Sequence, residues 1–369
     1  MKDKIKYIIT LCLSAALIFG FSAWFLFKAP SVYSESERRA LKTLPEFSIE
    51  AVLSGKYMSE FEDASPDQFP LRDLFRSIKA YASQYLFNRM DNNKIFLADS
   101  HLSKLEYPQN DNMIDNAGKK FSYIYENYIK DTDAQVFLSV IPDKNFFIAE
   151  KNGYLSFNYN EFAAALCEKA PFAQYIDIMP LLSADDYYTT DTHWKQQNIT
   201  DIAEKLLTEM GAVFNDSFTE NRIDKPFYGV YYNQSGLKVP TDEIVYLTSD
   251  IIDGCTVTNY DTGSPVSKPM YDMTKLDTPD LYEIFLSGTV AVSVIENPAA
   301  KEKNELILFR DSFGSSIAPL MTSGYSKITV VDIRYIASSA LRGIVDFENA
   351  DTVLFLYSTV LLNNSLAMK

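Results

Sequence analysis

Histidine and cysteine are scarce in this sequence, and their scarcity limits the chemistry that the chain can carry. The 369 residues include 2 histidines and 3 cysteines. Cys12, Cys167 and Cys255 show no Cys-x-x-Cys spacing and have no histidine nearby, so they supply no zinc ligand set. We therefore expect no metal and no cofactor, and an imidazole base must be His101 or His193. The sequence leaves open whether the second and third cysteines form a disulfide.

Basic residues are in the minority as well. The chain has 34 Lys and Arg against 49 Asp and Glu, which gives a formal net charge of -15. The field of such a protein repels polyanions, so we exclude nucleic acid as a partner. Hydrophobic residues make up 47% and aromatic residues 14% of the chain, a composition typical of a packed globular protein.

Charge is absent altogether between Tyr7 and Phe27. This run of about 21 residues is long enough, as a helix, to cross a hydrocarbon core of about 30 Å. Phe27 and Lys28, at its end, lack the small-x-small pattern of a signal cleavage site. Leu11 is too bulky to precede a lipidated Cys12. The run therefore predicts an uncleaved membrane anchor.

The charges on the two sides of the anchor are nearly balanced, because Glu35 and Glu37 dilute the basic residues that follow it. A very short basic tail before a long acidic domain still favours a cytoplasmic N-terminus. We thus predict a single-pass protein of the cell membrane. Its predicted parts are a cytoplasmic tail with a transmembrane anchor (1–28), a stalk (29–44) and an extracytoplasmic domain (45–369) with a loop-rich insertion at about 214–282.

Apolar runs of strand length alternate with helical patterns in the rest of the chain. Residues 134–144 resemble a buried strand that opens onto a loop, and a shorter strand is predicted at 174–178. Three further apolar runs lie at 306–309, 328–331 and 353–356, and helical segments separate them, the second of these at 337–347. This order predicts an α/β fold with a mostly parallel sheet and helices on both faces.

Two further helical regions are predicted. Apolar residues recur at helical spacing on both sides of Ser65-Pro66, which indicates two helices with a break there. The stretch HWKQQNITDIAEKLLTEMG also has helical periodicity. It ends on Gly211, a favourable residue for a helix end, and Thr190 or Asp191 would be its N-cap.

Ser312 is the candidate nucleophile. It lies in the turn Asp311-Ser312-Phe313, between an apolar strand and a predicted helix. Ligands of open α/β sheets bind outside the carboxyl ends of the strands, and amide groups at a helix start can hold an oxyanion. The alternative is that Asp-Ser after a strand serves only as a helix N-cap.

A serine nucleophile needs a base, and each histidine has an aspartate two positions before it, Asp99 or Asp191. We favour His193, because a helix start would disfavour its charged form and an irregular backbone would let Asp191 reach Nδ1. Trp194 would wall the ring on one side. His101 has only a surface-like turn around it. The alternative for His193 is a packed ring in a capping turn.

The combination of Asp191-Thr192-His193-Trp194 with Asp311-Ser312-Phe313 resembles the DHHW family and the related alginate O-acetylation proteins of the AlgJ and AlgX type. The similarity extends over nearly everything after the anchor, through the segments ESERRALKTLPEFS, SGKYMSEFEDASPDQFPLRD, VIPDK and DLYEIFLSG. Those proteins are membrane-anchored or exported members of the SGNH hydrolase superfamily in which Asp-x-His precedes the serine. The resemblance implies an SGNH-hydrolase-like, flavodoxin-like sheet.

The sequence departs from the family pattern at two positions. Thr192 stands where the name DHHW implies histidine, a variation that AlgX-like relatives share. Arg310 replaces the glycine that precedes Asp-Ser in many SGNH enzymes, which bears on the oxyanion donors. The candidate oxyanion and substrate-binding residues, besides the Ser312 amide, are Gly288, Asn145, Arg310 and Trp194.

The resemblance implies an extracytoplasmic serine O-acetyltransferase or acetylesterase acting on a cell-surface or exported polysaccharide. Ser312 would be the nucleophile, His193 the base and Asp191 the residue that orients the base. It also implies a separate membrane acyltransferase as acetyl donor. Two other hypotheses remain: a catalytically silent glycan-binding or assembly protein, with a groove in the aromatic insertion around Tyr228 and Tyr231, and a structural membrane-anchored scaffold.

Overall fold

The structure, a computed structural model, describes residues 2–34, 39–87, 89–90, 93–260 and 264–369. The chain divides into two compact units. We call them the N-terminal unit (Met1–Asn93 and Tyr232–Lys238) and the sheet unit (Lys94–Tyr231 and Val239–Lys369). Residues 45–93, which the sequence assigns to the main domain, thus belong to the N-terminal unit.

The N-terminal unit is largely helical. Its helices are α1 (Lys2–Phe27), α2 (Ile49–Leu53), α3 (Lys56–Gln68) and α4 (Arg72–Tyr81), the last continuing as a π-helix over Ala82–Leu86, and its short hairpin joins β1 (Tyr33–Ser34) to β2 (Arg39–Ala40). Within the part of the chain that the structure describes, one helix is long and apolar enough to cross a membrane, over Lys4–Phe27 of α1.

The predicted helix break at Ser65-Pro66 is wrong, because α3 runs through both residues. Pro66 lacks the amide hydrogen that a helix directs to the carbonyl of Glu62. Ser65 Oγ donates to that carbonyl instead, at 3.3 Å. The chain turns further on, at Leu71, whose φ of 57° lies in the left-handed region.

The sheet unit contains the other strands. They are β3 (Ile95–Ala98), β4 (His101–Lys104), β5 (Gln135–Ile141), β6 (Gln174–Tyr175), β7 (Thr219–Phe227), β8 (Asp242–Thr248), β9 (Thr256–Asn259), β10 (Val266–Lys268), β11 (Val292–Glu296), β12 (Glu305–Arg310), β13 (Lys327–Val331) and β14 (Thr352–Ser358). Eight of them form one sheet in the order β10-β9-β11-β13-β12-β14-β5-β6. The strands from β13 to β6 are parallel, and β9, β10 and β11 add an antiparallel edge. The predicted α/β fold class is confirmed.

Helices cover both faces of this sheet. The remaining α-helices among the described residues are α5 (Asp111–Ile124), α6 (Asn145–Ile148), α7 (Tyr159–Lys169), α8 (Thr200–Glu209), α9 (Val230–Ser235), α10 (Asp250–Gly254), α11 (Gly314–Ile317) and α12 (Thr359–Leu362). Successive side chains of a strand point to opposite faces. Val136 and Leu138 of β5 accordingly belong to one core with Phe162 of α7, whereas Phe137 belongs to the other with Ile202 of α8.

The helix predicted from residue 190 onwards starts later than expected. Residues 186–195 form a short hairpin, in which the Tyr188 amide donates to the His193 carbonyl at 3.0 Å. Amide and carbonyl groups used in this pairing cannot form helical hydrogen bonds, so α8 begins at Thr200 and neither predicted residue is its N-cap. The predicted end is confirmed, since Gly211 has a φ of 74° just after α8.

The helix predicted at 337–347 is wrong. A single 3₁₀ turn, Ser338–Ala340, is the only helical element of this segment, all of which the structure describes. Gly343 has a φ of 86°, a left-handed conformation that reverses the chain. This reversal lets both Val345 and Phe347 enter the core, which two positions so close together on a helix would not do.

The segment 214–282, predicted to be a loop-rich insertion, is partly built into the sheet. β9 and β10 extend the main sheet beyond β11, while β7 and β8 pair with each other as a separate hairpin. The predicted strand at 174–178 is reduced to β6. Cys167 and Cys255 are both unpaired, so the structure contains no disulfide between them.

Candidate active site

Ser312, His193 and Asp191 form one continuous hydrogen-bonded chain in the sheet unit. Ser312 lies in the turn between β12 and α11, at the carboxyl end of a central strand, and its Oγ is 2.7 Å from His193 Nε2. Nδ1 of the same ring is 2.6 Å from Asp191 Oδ1. Because a carboxylate only accepts hydrogen bonds, the ring proton belongs on Nδ1, and Nε2 is left to accept the Ser312 hydroxyl.

Asp191 is held in place by backbone groups on both sides. Its Oδ1 also accepts from the His193 amide at 3.1 Å, and its Oδ2 accepts from the Val230 amide at 2.7 Å. The neighbouring Thr190 hydroxyl accepts from the Gly229 amide at 3.0 Å. Several donors on one buried carboxyl favour its ionised form, which is the form that can orient a histidine.

Gly229 is required for this close approach. A Cβ at this position would lie 2.3 Å from the Thr190 carbonyl oxygen and 2.5 Å from Asp191 Cβ. Both contacts are far shorter than van der Waals distance, so any side chain would force the two segments apart. The sequence shows this glycine only as one of several in a polar stretch, which explains why pattern reasoning did not single it out.

Tyr282 forms the wall of the histidine ring. The two rings are stacked at 3.9 Å between centroids with an angle of 10° between their planes. The Tyr282 hydroxyl donates to Ser316 Oγ at 2.8 Å, and burial raises its pKa, so it stays a neutral donor. Trp194 was predicted to pack against the His193 ring. It is instead fully buried, and its indole nitrogen donates to Ser316 Oγ at 2.8 Å and to the Phe313 carbonyl at 3.1 Å.

The nucleophile turn is fixed by Asp311. Its Oδ1 accepts from the Phe313 amide at 3.0 Å, and its Oδ2 accepts from the Ser358 amide at 2.9 Å and from the Ser358 hydroxyl at 2.6 Å. The amide of Ser312 itself has no hydrogen-bond partner within the described part of the chain. It is therefore free to donate to an oxyanion that forms at the adjacent hydroxyl.

The other two predicted oxyanion donors each form hydrogen bonds within the fold. The Gly288 amide donates to the Phe285 carbonyl at 3.1 Å, and the φ of 76° at Gly288 gives the glycine a role in a turn. Asn145 Nδ2 donates to the Lys104 carbonyl at 2.6 Å, and its Oδ1 accepts from Ser103 at 3.1 Å. The Gly288 amide hydrogen is thus used within the fold, as is one of the two hydrogens on Asn145 Nδ2.

Arg310, predicted to bind substrate, is buried beneath the nucleophile turn with 1% of its surface exposed. Its guanidinium forms an ion pair with Asp332 at 3.3 Å, and Arg334 pairs with the same carboxylate at 2.6 Å. A Cβ at Gly314 would lie 2.4 Å from Arg310 Cβ, so the stem of the arginine packs directly under α11. Arg310 therefore supports the turn and does not face the solvent.

Lys144 is a residue of this region that sequence reasoning did not select, although it belongs to the VIPDK segment. Its fully buried Nζ donates to the carbonyls of Leu102, Tyr188 (2.9 Å) and Thr189 (3.3 Å). The ammonium also lies 5.1 Å from the centre of the Tyr231 ring. Burial lowers the Lys144 pKa to about 7, while the three carbonyls favour the protonated form. Lys144 thus fastens β4 to the segment that leads into Asp191.

His101 lies in a different environment from the one predicted. It is 6% exposed, rather than on the surface, at the start of β4. Its Nδ1 is 2.9 Å from the carbonyl oxygen of Asp99, whereas the Asp99 carboxylate forms an ion pair with Lys151 at 2.8 Å. No hydroxyl is hydrogen-bonded to the His101 ring within the described ranges.

Metal ligands are not clustered anywhere in the described residues: no group of three or more His, Cys, Asp or Glu side chains there is arranged to hold an ion. A serine hydroxyl, an imidazole and an ionised carboxylate in this order are suited to acyl transfer.

The parallel sheet, its antiparallel edge and the serine turn after a central strand define an α/β fold with helices on both faces of a mostly parallel sheet. Comparison with solved structures supports this assignment. A DHHW family protein from Eubacterium siraeum DSM 15702 matches with a TM-score of 0.58 and 18% identity, covering 75% of this chain and 95% of that chain. PatB1 of Bacillus cereus, solved with a sulfonyl adduct, matches with a TM-score of 0.58 and 16% identity, covering 73% and 97%.

A weaker likeness is to the O-acetyltransferase domain of Pseudomonas putida AlgJ, with a TM-score of 0.44 and 13% identity over 73% of this chain and 92% of that chain. No protein-family model and no curated protein matches the sequence. The likenesses to the DHHW family protein and to PatB1 concern the fold. The resemblance that the sequence motifs indicate is confirmed at that level.

Proposed function

We propose that this protein is a serine acyl-transfer enzyme. The observation that carries the proposal is the hydrogen-bonded chain from Asp191 through His193 to Ser312, with distances of 2.6 Å and 2.7 Å. This order of groups supplies a nucleophile, a base and a residue that fixes the tautomer of the base. A silent glycan-binding protein would have no need for the donors that hold the Asp191 carboxylate.

The reaction proceeds in two halves. Ser312 Oγ attacks the carbonyl carbon of an acyl donor while His193 Nε2 takes the hydroxyl proton, and the Ser312 amide donates to the developing oxyanion. His193 then returns the proton to the leaving oxygen, and the acyl group stays on Ser312. In the second half an acceptor hydroxyl gives its proton to His193 and attacks the ester carbonyl. His193 then returns that proton to Ser312 Oγ as the bond between the serine oxygen and the acyl carbon breaks, which restores the free enzyme.

The acceptor decides whether the enzyme is an esterase or a transferase. Water as acceptor gives hydrolysis, and a sugar hydroxyl gives an O-acylated glycan. The motif resemblance to alginate O-acetylation proteins supports acetyl as the acyl group and a cell-surface or exported polysaccharide as the acceptor. It supports a separate membrane acyltransferase as the source of acetyl groups.

The apolar helix supports a location at the membrane. We assign residues 1–28 to a cytoplasmic tail and an uncleaved anchor, residues 29–44 to a stalk, and the later residues to the extracytoplasmic side. The support is the 24-residue apolar stretch of α1, near the N-terminus, with its side chains outside any protein core. An enzyme held at the membrane would meet a polysaccharide as it leaves the cell.

The test uses the purified full-length chain in detergent, a chromogenic acetyl ester as donor and a panel of oligosaccharides as acceptors. We expect ester turnover by the wild type and by Ser323→Ala, a control serine that contacts Val213 and Asn215 rather than His193, and none by Ser312→Ala. Acetylated oligosaccharide, detected by mass spectrometry, would identify a transferase, whereas free acetate alone would identify an esterase. Equal turnover by wild type and Ser312→Ala would contradict the proposal.

A further inference from the structure

The N-terminal unit exposes an apolar stripe along α4 and its π-helical continuation. The stripe comprises Leu71, Leu74, Phe75 and Ile78, which recur at intervals of three and four residues and so lie on one side of the helix, and the exposed Tyr85 and Leu86 of the π-helical continuation. Leu74 is 52% exposed and Ile78 is 55% exposed. A helix that borders water normally turns such a face inwards, so this helix has its amphipathic pattern reversed.

The opposite side of α4 is polar and is attached to its own unit. Arg72 lies 3.6 Å from the Asp67 carboxylate, and only 15% of its side chain is exposed. Arg76 donates to the backbone carbonyls of Asn233 and Gln234, each at 3.3 Å. These hydrogen bonds and ion pairs fix the polar side of α4 against its own unit. The apolar stripe therefore faces away from the unit, where an apolar environment would stabilise it.

The stripe is continuous with the candidate membrane span. Phe21 of α1 packs against Phe69 and Phe75, with ring centroids 5.9 Å and 6.0 Å apart. Phe25 of α1 packs against Phe61 at 6.0 Å. Phe21 precedes the end of α1 by about 9 Å along the axis, at 1.5 Å per residue. Aromatic rings at this level correspond to the depth at which a spanning helix leaves the hydrocarbon core.

An apolar groove of about 760 Å³ lies along the same contact. It is lined by Leu17, Ile18 and Phe21 of α1 and by Phe61, Phe69 and Phe75 of the following helices. At membrane depth, lipid acyl chains are the apolar molecules available to fill such a groove.

From these observations we propose that α4 is an interfacial helix, whose apolar stripe lies in the boundary between lipid headgroups and acyl chains of the bilayer that α1 crosses. The proposal rests on the membrane anchoring given under Proposed function. Burying such a stripe is favourable by roughly 25 cal/mol for each Å² of apolar surface removed from water. The N-terminal unit would thus rest on the membrane surface rather than stand away from it on a free stalk.

The experiment measures the membrane depth of single labels on the full-length chain. In a background with Cys12, Cys167 and Cys255 changed to serine, one cysteine is introduced as Ile78→Cys, Asp73→Cys or Leu17→Cys and coupled to bimane. The proteins are reconstituted into phosphatidylcholine vesicles with and without spin-labelled lipid. Asp73 is the matched control, because it is an exposed residue of the same helix on the side away from the stripe.

We expect the spin label to quench bimane at Leu17 and Ile78 several-fold more than at Asp73. Strong quenching at Leu17 with equal, weak quenching at Ile78 and Asp73 would overturn the interfacial helix and leave the anchor intact, as expected if another protein covers the stripe. Weak quenching at all three positions would overturn the anchor and the interfacial helix together. Ester turnover measured on each labelled protein verifies that the sheet unit is folded.

Discussion

The two histidines of this chain occur in the same local sequence pattern, Asp-x-His, yet their surroundings differ. At residues 99–101 the Asp99 and Ser100 backbones have φ values of 47° and 65°, and together they form the tight turn between β3 and β4. The ring of His101 meets the Asp99 carbonyl oxygen rather than its carboxylate. At His193 the carboxylate itself holds the ring, and the other ring nitrogen meets a hydroxyl.

The difference arises from what holds the aspartate. Asp99 lies in the turn between β3 and β4, and its carboxylate forms a surface ion pair with Lys151. Such an ion pair contributes little to stability. Asp191 follows a segment that is fixed from outside, because Asp242 accepts from the amides of Thr189 and Thr190 at 2.8 Å and 2.7 Å. Spacing in sequence therefore defines which residues can meet, and the surrounding loops decide whether they do.

The largest expected effect separates the two histidines directly. His193→Ala should lower acyl-enzyme formation by roughly 10⁴-fold or more, because the Ser312 hydroxyl loses its base. His101→Ala should leave the rate close to wild type. The measurement is acyl-enzyme accumulation on a chromogenic acetyl ester. If His101→Ala were inactive and His193→Ala active, the wrong histidine would have been assigned.

The two aspartates should differ almost as strongly. Asp191→Asn replaces an acceptor by an amide that can donate to Nδ1, which favours the wrong tautomer, so we expect a loss of roughly 10³-fold in turnover with the fold intact. Asp99→Asn keeps the backbone carbonyl that meets His101 and should remain near wild-type activity. Steady-state kinetics measures the turnover of both variants, and circular dichroism verifies that both are folded. An equal loss of activity in the two variants would contradict the assignment of Asp191.

A smaller effect is expected from substitution of Gly229, which allows the backbone to approach Thr190 and Asp191 closely. Gly229→Ala places a methyl group against the Thr190 carbonyl and Asp191, and the resulting shift should lower kcat/KM by roughly 10-fold to 100-fold. Gly254→Ala is the matched control, because a Cβ there has no neighbour within 4 Å. Unchanged kinetics in Gly229→Ala would mean that the close approach of Gly229 to Thr190 and Asp191 is not needed for activity.

The smallest effect concerns stability and belongs to His101. Burial lowers the His101 pKa below its ordinary value of 6.5. The unfolded chain therefore binds a proton at a higher pH than the folded chain, and stability is lost as the pH falls below about 6.5. His101→Gln should reduce the fall in Tm between pH 7 and pH 5 relative to wild type. An identical fall in both proteins would show that His101 does not contribute.

Much of the fold could be predicted from the sequence, because β5, β12, β13 and β14 are mostly apolar runs of the kind that a sheet covered on both faces buries. The helix predicted at 337–347 was wrong, although its apolar residues recur at a spacing that a helix would allow. What decided against it was the left-handed backbone at Gly343, which a single sequence does not display.

The candidate site was predicted in part and for a partly wrong reason. Asp191, His193 and Ser312 meet as expected, although His193 lies in a hairpin turn and not at a helix start. The oxyanion role predicted for Gly288 and Asn145 stays a prediction, although both groups already donate to carbonyls within the fold. Which partner a donor meets depends on residues far away in the chain, and no local pattern records it.

The central claim, that the serine next to His193 is a nucleophile, is tested most directly by covalent labelling. The full-length protein is treated with a fluorophosphonate probe, and its mass and labelled peptide are measured. We predict one adduct per chain, on Ser312, that is absent in Ser312→Ala and strongly reduced in His193→Ala but retained in His101→Ala. Labelling of Ser312→Ala to the wild-type extent, or an adduct on a different residue of the wild type, would contradict the account.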